Sequence, residues 1–289
     1  MRKKVHPLWH LLRAHIGLFF AFLYLPICML VTYSFNNNAV SMMSWNGFTV
    51  DWYLRVFANL GLYTPTHALA GGDALQLYSD PNLGPAARNT VIVAVTSSAL
   101  ATVVGTMTAL GLARLRFPGR EAYRSALYLP IVIPDIVLGI SLLVFLSAIS
   151  FPLGRWSVIL AHTVFLTSYV NVVVSARLAG MNLRLEEASA DLGADAWTTF
   201  RRITLPQLWP GIVGGGLLSL VISMDDLVIS YFTSGVGATT LPVYLFGAIK
   251  RNVSPEINAI SVLMIAASML VVGVALWLRR SSPDHPPRS

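Results

Sequence analysis

Six apolar stretches, each long enough to cross a bilayer and nearly free of charge, constrain this chain more than any other feature. A spanning helix needs about 20 such residues. In hydrocarbon every backbone N–H and C=O must be satisfied within the segment, so each stretch reads as a helix. The spans fall near 16–35, 89–112, 123–147, 156–176, 209–232 and 257–277, predicting an all-α integral membrane protein with six transmembrane helices. Only 11% of residues are charged, against about 25% in soluble domains. The net charge of +7 lies between apolar blocks rather than in one patch, which argues for a membrane and against nucleic acid. Cys28 is the sole cysteine, so disulfide scaffolds and cysteine metal sites are excluded. The first span follows Arg2, Lys3 and Lys4 like a secretory leader, but its apolar core is too long and no small-residue cleavage site follows.

Fifteen Lys and Arg residues lie at the two termini and in the second-to-third and fourth-to-fifth connections; five (Arg55, Arg88, Arg155, Lys250, Arg251) lie on the other side. The positive-inside rule therefore makes both termini cytoplasmic. We expect a single transmembrane domain over residues 1–280, a long outer loop at 36–88, and a disordered cytoplasmic tail at 281–289.

The connection at 177–208 has its own helical pattern. Leu185, Ala188 and Leu192 share one face of a helix over 182–192, beside Glu186, Glu187 and Asp191. Gly193 suits the left-handed position past its end. Asp195 is placed to cap a second helix carrying Trp197, Phe200 and Ile203, stopping before Pro206. Taken alone, this pattern also fits amphipathic helices resting on lipid headgroups. Glu187-Ala188-Ser189, three residues, Gly193, nine residues, then Ile203-Thr204-Leu205-Pro206 resembles the E-A-A…G…I-x-L-P loop of ABC importer permeases. Serine for the second alanine is the one departure. In that family the knuckle docks on a separate ATPase subunit. The resemblance thus gives Glu187, Ala188 and Gly193 the coupling role, with Ile203, Leu205 and Pro206 anchoring it to the fifth span. The chain lacks a phosphate-cradling G-x-x-x-x-G-K-[ST] loop, so it is expected not to be an enzyme and to have no cofactor of its own.

Asp135, Asp225 and Asp226 fall inside apolar spans. A charge at a helix centre costs about 2.5–3.5 kcal/mol, so it normally faces a cavity or a partner. No Arg or Lys lies at their depth, so an internal ion pair is not expected, and unpaired acids favour a cationic solute. One of the adjacent acids instead caps a helix break, in the alternative reading. Pro130 and Pro134 bend the third span before Asp135. Gly211, Gly214, Gly215 and Gly216 read as close helix packing, and His162 as a hydrogen-bonded interior histidine, with no metal site. Trp45, Trp52 and Tyr53 near Asp51 fit an interfacial belt, or stacking on ammonium groups.

Beyond the knuckle, the chain resembles the spermidine/putrescine (PotC-type) permeases through Asn46-Gly47-Phe48-Thr49, Trp52-Tyr53, Pro134-Asp135-Ile136-Val137, Ser223-Met224-Asp225-Asp226 and Ser254-Pro255-Glu256-Ile257-Asn258-Ala259. Residues 58–87 make the outer loop longer than usual there. The resemblance implies a type I (MetI-like) importer in a bacterial inner membrane. A periplasmic solute-binding protein delivers a polyamine, this chain pairs with a second related permease, and two ATPase subunits drive alternating access. Trp52, Asp135, Asp225 and Asp226 would line the path. Rival readings are the same fold carrying iron, thiamine, an opine or an amino-acid-like solute; an ATPase-free channel or proton-coupled carrier using Asp135, His162 and Asp225; and an intramembrane hydrolase.

Overall fold

A computed structural model describes residues 7–38, 44–63, 81–251 and 255–280. Most of the long outer loop at 58–87, the Lys-rich start and the tail at 281–289 therefore lie outside the described residues. The described chain is helical: α1 (Pro7–Tyr33), α2 (Asp51–Asn59), α3 (Leu83–Arg114), α4 (Arg120–Val132), α5 (Asp135–Ala148), α6 (Arg155–Ala179), α7 (Arg184–Asp191), α8 (Ala196–Thr199), α9 (Leu205–Asp225), α10 (Val228–Thr233), α11 (Leu241–Arg251) and α12 (Pro255–Arg280). Among the described residues five helices are long and apolar enough to cross a membrane, or six if α4 and α5, bent by 114° at their break, count as one span.

Two compact units are present. The first holds residues 1–80 and 247–266, the second 81–246 and 267–289. In the first, the chain turns back after α1 through an isolated antiparallel bridge between Asn36 and Phe48. Phe35 stacks on Phe48 with ring centres 4.9 Å apart. Asn36 accepts the Asn46 N–H on Oδ1 at 3.1 Å and donates from Nδ2 to the Ser44 carbonyl at 2.9 Å. Ser34 and Tyr53 share a 2.6 Å hydroxyl contact. The N-G-F-T and W-Y segments thus fold together as one small cap.

The second unit is built on α3, α6 and α9, whose facing sides are small or branched. Ala101, Ala109, Leu166, Val170, Val174 and Leu208 are buried among them. The close approach is made by residues without side chains: a Cβ on Gly211 would stand 2.8 Å from Arg177 Cβ, and one on Gly216 would stand 2.9 Å from Thr102 Oγ1. The glycine run is therefore packing, as expected, although nothing lies within 4 Å of such an atom at Gly214. At one end Asn89 ties the segment before α11, donating to the carbonyls of Gly237 at 2.9 Å and Thr239 at 3.1 Å while accepting from Arg155 Nε at 3.1 Å.

Two expectations are corrected. The helix begun at Asp195 does not stop before Pro206. It passes through a five-residue π-turn, Phe200–Thr204, straight into α9. A proline lacks the N–H that the regular ladder needs and crowds the carbonyl four residues back. The wider π-turn lies where that crowding falls. The fifth span is also not one helix to Phe232, because it breaks after Asp225 and restarts at Val228.

Candidate functional site

Two helix breaks organise the second unit. The first lies between Val132 and Asp135, where Ile133 and Pro134 are extended (ψ 135° for both). Pro134 denies the ladder a donor and pushes its predecessor out of helical geometry. The second lies at Asp226, whose ψ of 119° ends α9. A Cβ on Gly139, one turn beyond Asp135, would stand 2.9 Å from the Phe232 ring and 3.5 Å from the Val228 carbonyl. α5 and α10 therefore pack at that point. Asp135 stands about 6 Å along α5 from the level where α10 begins. Each break leaves the last carbonyls of one half-helix and the first N–H groups of the next without intrahelical partners.

The carboxylates at these breaks have different surroundings. Asp226 is taken up by the fold: Oδ2 accepts the Ser230 N–H at 2.8 Å and Oδ1 the Ile229 N–H at 3.4 Å. It is the break-capping acid of the alternative sequence reading. Asp225 and Asp135 are both exposed in the single chain and make no hydrogen bond or ion pair with any described residue. The geometry separates two neighbours that the sequence presents alike.

Behind Asp226 lies a polar cluster that the sequence analysis reached only as an interior histidine. His162 of α6 is fully buried. Its Nδ1 lies 2.8 Å from Ser223 Oγ, and its Nε2 lies 3.0 Å from Ser230 Oγ and 3.1 Å from Asp226 Oδ2. A count of Arg and Lys at this depth does not include the imidazole, which the fold sets 3.1 Å from Asp226 Oδ2. A histidine and an acid on different spans, each beside serines, were the available signal.

Trp52 belongs to the first unit. It is buried there, donating from Nε1 to the Asn36 carbonyl at 2.8 Å with the Arg55 guanidinium 4.8 Å over its ring. Trp45 is half exposed and stands edge-on to Tyr33.

The knuckle has the expected form. Gly193 follows α7 two residues past its end, and its φ of +82° favours glycine. Glu186, not Glu187, is the acid that the fold uses. Both of its oxygens accept from Arg114, at 2.5 Å each, and Oε1 also takes the Thr204 hydroxyl at 2.7 Å. That bidentate guanidinium holds the Glu186 carboxyl below the usual carboxylate range against the opposing effect of burial. Ser189, the departure from the E-A-A pattern, is buried and shares a 3.0 Å hydroxyl contact with Thr199, tying the two halves of the knuckle together. Glu187 and Ala188 are exposed, as are Leu185 and Leu192, so the ridge is uncovered. Of the anchoring positions Leu205 and Ile203 are half-buried and Pro206 is exposed, while Leu208 and Thr204 are buried. A recess of about 690 Å³ lined by Arg114, Arg116, Arg120 and Arg124 lies at this arginine-rich end and includes none of the three acids.

The chain matches the model of a family described as "Binding-protein-dependent transport system inner membrane component" over residues 101–281. It is 39% identical over 263 residues to the spermidine/putrescine transport system permease protein PotC of Haemophilus influenzae, covering 91% of this chain and 94% of that one. It is 36% identical over 277 residues to the putrescine transport system permease protein PotI of Escherichia coli K12, covering 93% and 89%. Among solved structures, a bacterial ABC transporter involved in import of the acidic polysaccharide alginate matches with a TM-score of 0.68 at 17% identity, covering 94% of each chain.

Proposed function

The chain belongs to the binding-protein-dependent transport system inner membrane components, and on that premise we propose that it forms half of the path by which an ATP-driven importer carries a polyamine across the bacterial inner membrane. It is a permease subunit of the spermidine/putrescine kind. The observation that carries the solute class is Asp225: a carboxylate at a helix break in an apolar span, with no partner among the described residues. An ammonium group is the natural complement. The carbonyls freed at the end of α9, of which Asp225 is the last residue, add cation-favouring dipoles. Asp135 offers a second carboxylate at the neighbouring break, suited to a solute with more than one ammonium.

In this reading residues 1–280 act as one permease domain with both termini cytoplasmic, which puts α7 and the arginine-rich recess on the cytoplasmic face. A separate ATPase subunit takes the exposed ridge of α7, with Glu187, Ala188 and Gly193 at the contact and Ile203, Leu205 and Pro206 passing its movement to α9. A second permease completes the path, and a periplasmic binding protein delivers the solute. ATP is hydrolysed outside this chain.

The test is uptake of labelled putrescine and spermidine by cells expressing the complete importer, as wild type, as Asp225→Asn, and with an ATPase-dead partner. We expect ATP-dependent uptake that falls at least about tenfold in Asp225→Asn, the loss of a charge-assisted contact. Polyamine uptake unaffected by the substitution would remove Asp225 from the path. Absence of any polyamine uptake by a complex that still hydrolyses ATP would refute the solute assignment.

A further inference from the structure

Ser223 lies before the α9–α10 break and Ser230 beyond it, and His162 contacts both, so its imidazole staples the two half-helices together. Each proton in this cluster can be counted. Ser97 Oγ lies 2.7 Å from the Val93 carbonyl, 3.5 Å from the Ala94 carbonyl and 3.1 Å from Ser223 Oγ, and the shortest of these contacts, to an oxygen that can only accept, is where its one proton is placed. With the Ser97 proton placed there, Ser97 accepts in its 3.1 Å contact with Ser223 Oγ and Ser223 donates. With its own proton so used, Ser223 Oγ can only accept from His162 Nδ1, 2.8 Å away, and Nδ1 therefore carries hydrogen. On the other side of the ring, Asp226 caps α10 by accepting two backbone N–H groups, an arrangement that suits a carboxylate. Its Oδ2 stands 3.1 Å from Nε2. A bare ring nitrogen there would set lone pair against lone pair, so Nε2 carries hydrogen as well.

We infer that His162 is an imidazolium buried as the internal counter-ion of Asp226, so that the Asp225–Asp226 pair offers a solute one net negative charge, on Asp225. The substrate half of this statement rests on the polyamine reading; the ion pair does not. The arrangement gives adjacent acids separate duties. Asp226 is neutralised and holds the break, while Asp225 has no partner among the described residues. His162 is a positioning residue, acting on the solute only through the geometry and charge it sets at the break.

Two experiments test it on the complete importer in lipid bilayers. In the first, ¹⁵N magnetic resonance of ring-labelled histidine is recorded at neutral pH, and the His162 signals are identified by their loss in His162→Gln. Two protonated ring nitrogens are expected; one bare nitrogen overturns the ion pair. In the second, putrescine uptake is compared among His162→Gln, Asp226→Asn and the double variant. Each single substitution leaves one buried charge or donor without its partner and should lower uptake at least about tenfold, whereas the double should return to within about threefold of wild type. Additive losses overturn the proposal. Two protonated nitrogens in a complex that takes up no polyamine would leave the ion pair standing and refute the solute.

Discussion

Adjacent acids with unlike duties recur in this chain. At the α9–α10 break Asp226 caps, and Asp225 has no partner among the described residues. In the knuckle Glu186 is fastened to Arg114 and Thr204 while Glu187 is exposed. The residue types at both places were legible in the sequence. The division within each pair was not, because it depends on which side chain from a distant helix arrives beside which oxygen. The Glu186 pair gives a prediction with a sign. Because Arg114 holds the folded-state carboxyl below its ordinary value, the pair stabilises the fold above the unfolded value of about 4.3. That contribution is lost as pH falls through the lower, folded-state value. Glu186→Gln should therefore lower the thermal midpoint of the purified complex at pH 7. Its cost is about 1 kcal/mol or less, since Arg114 is partly exposed. The gap to wild type should close as the pH falls through that lower, folded-state value. An equal gap above and below it would mean that packing, not charge, is what the substitution removes.

Among the elements, prolines and glycines announced where geometry departs from the helix, but not how. Pro134 marked a bend, and the structure turns it into a full break with a 114° change of direction. Pro206, a helix stop by its chemistry, is instead carried by a π-turn, and the helix on its far side is held by Leu208, which is wholly buried. The break after Asp225 has no proline to signal it; the capping by Asp226 maintains it. Gly193 follows from spacing, and it stands at a φ of +82°. Gly193→Ala forces a side chain into that conformation at a cost of about 1–2 kcal/mol. We expect the knuckle to tilt and the importer to uncouple, with ATP hydrolysis continuing while uptake falls up to about tenfold. Unchanged uptake per ATP hydrolysed would show that the turn does not transmit movement.

For the molecule as a whole, composition and periodicity carry most of the conclusion. α1 buries none of its most apolar window, and Leu18 and Phe22 are 72% and 81% exposed, so its surface is left for lipid or a partner chain. The charge asymmetry predicts sidedness. With Cys28 replaced by serine, Asp191→Cys in the knuckle should react with an impermeant thiol reagent only after the membrane is opened, and Asn46→Cys in the cap from intact cells. The reverse pattern would invert the topology and with it the import direction.

Amino-acid order alone determined the number of apolar spans, their charge asymmetry, the knuckle and the three acids at membrane depth, since each depends on local composition or fixed spacing. The choice of Asp225 over Asp226, of Glu186 over Glu187, and of His162 as the group that answers Asp226 came only from packing. The partners in those contacts lie 61 to 72 residues apart for His162–Ser223 and Arg114–Glu186. No periodicity reaches across such separations; the folded bundle brings the groups within hydrogen-bond distance and thereby assigns each acid its role.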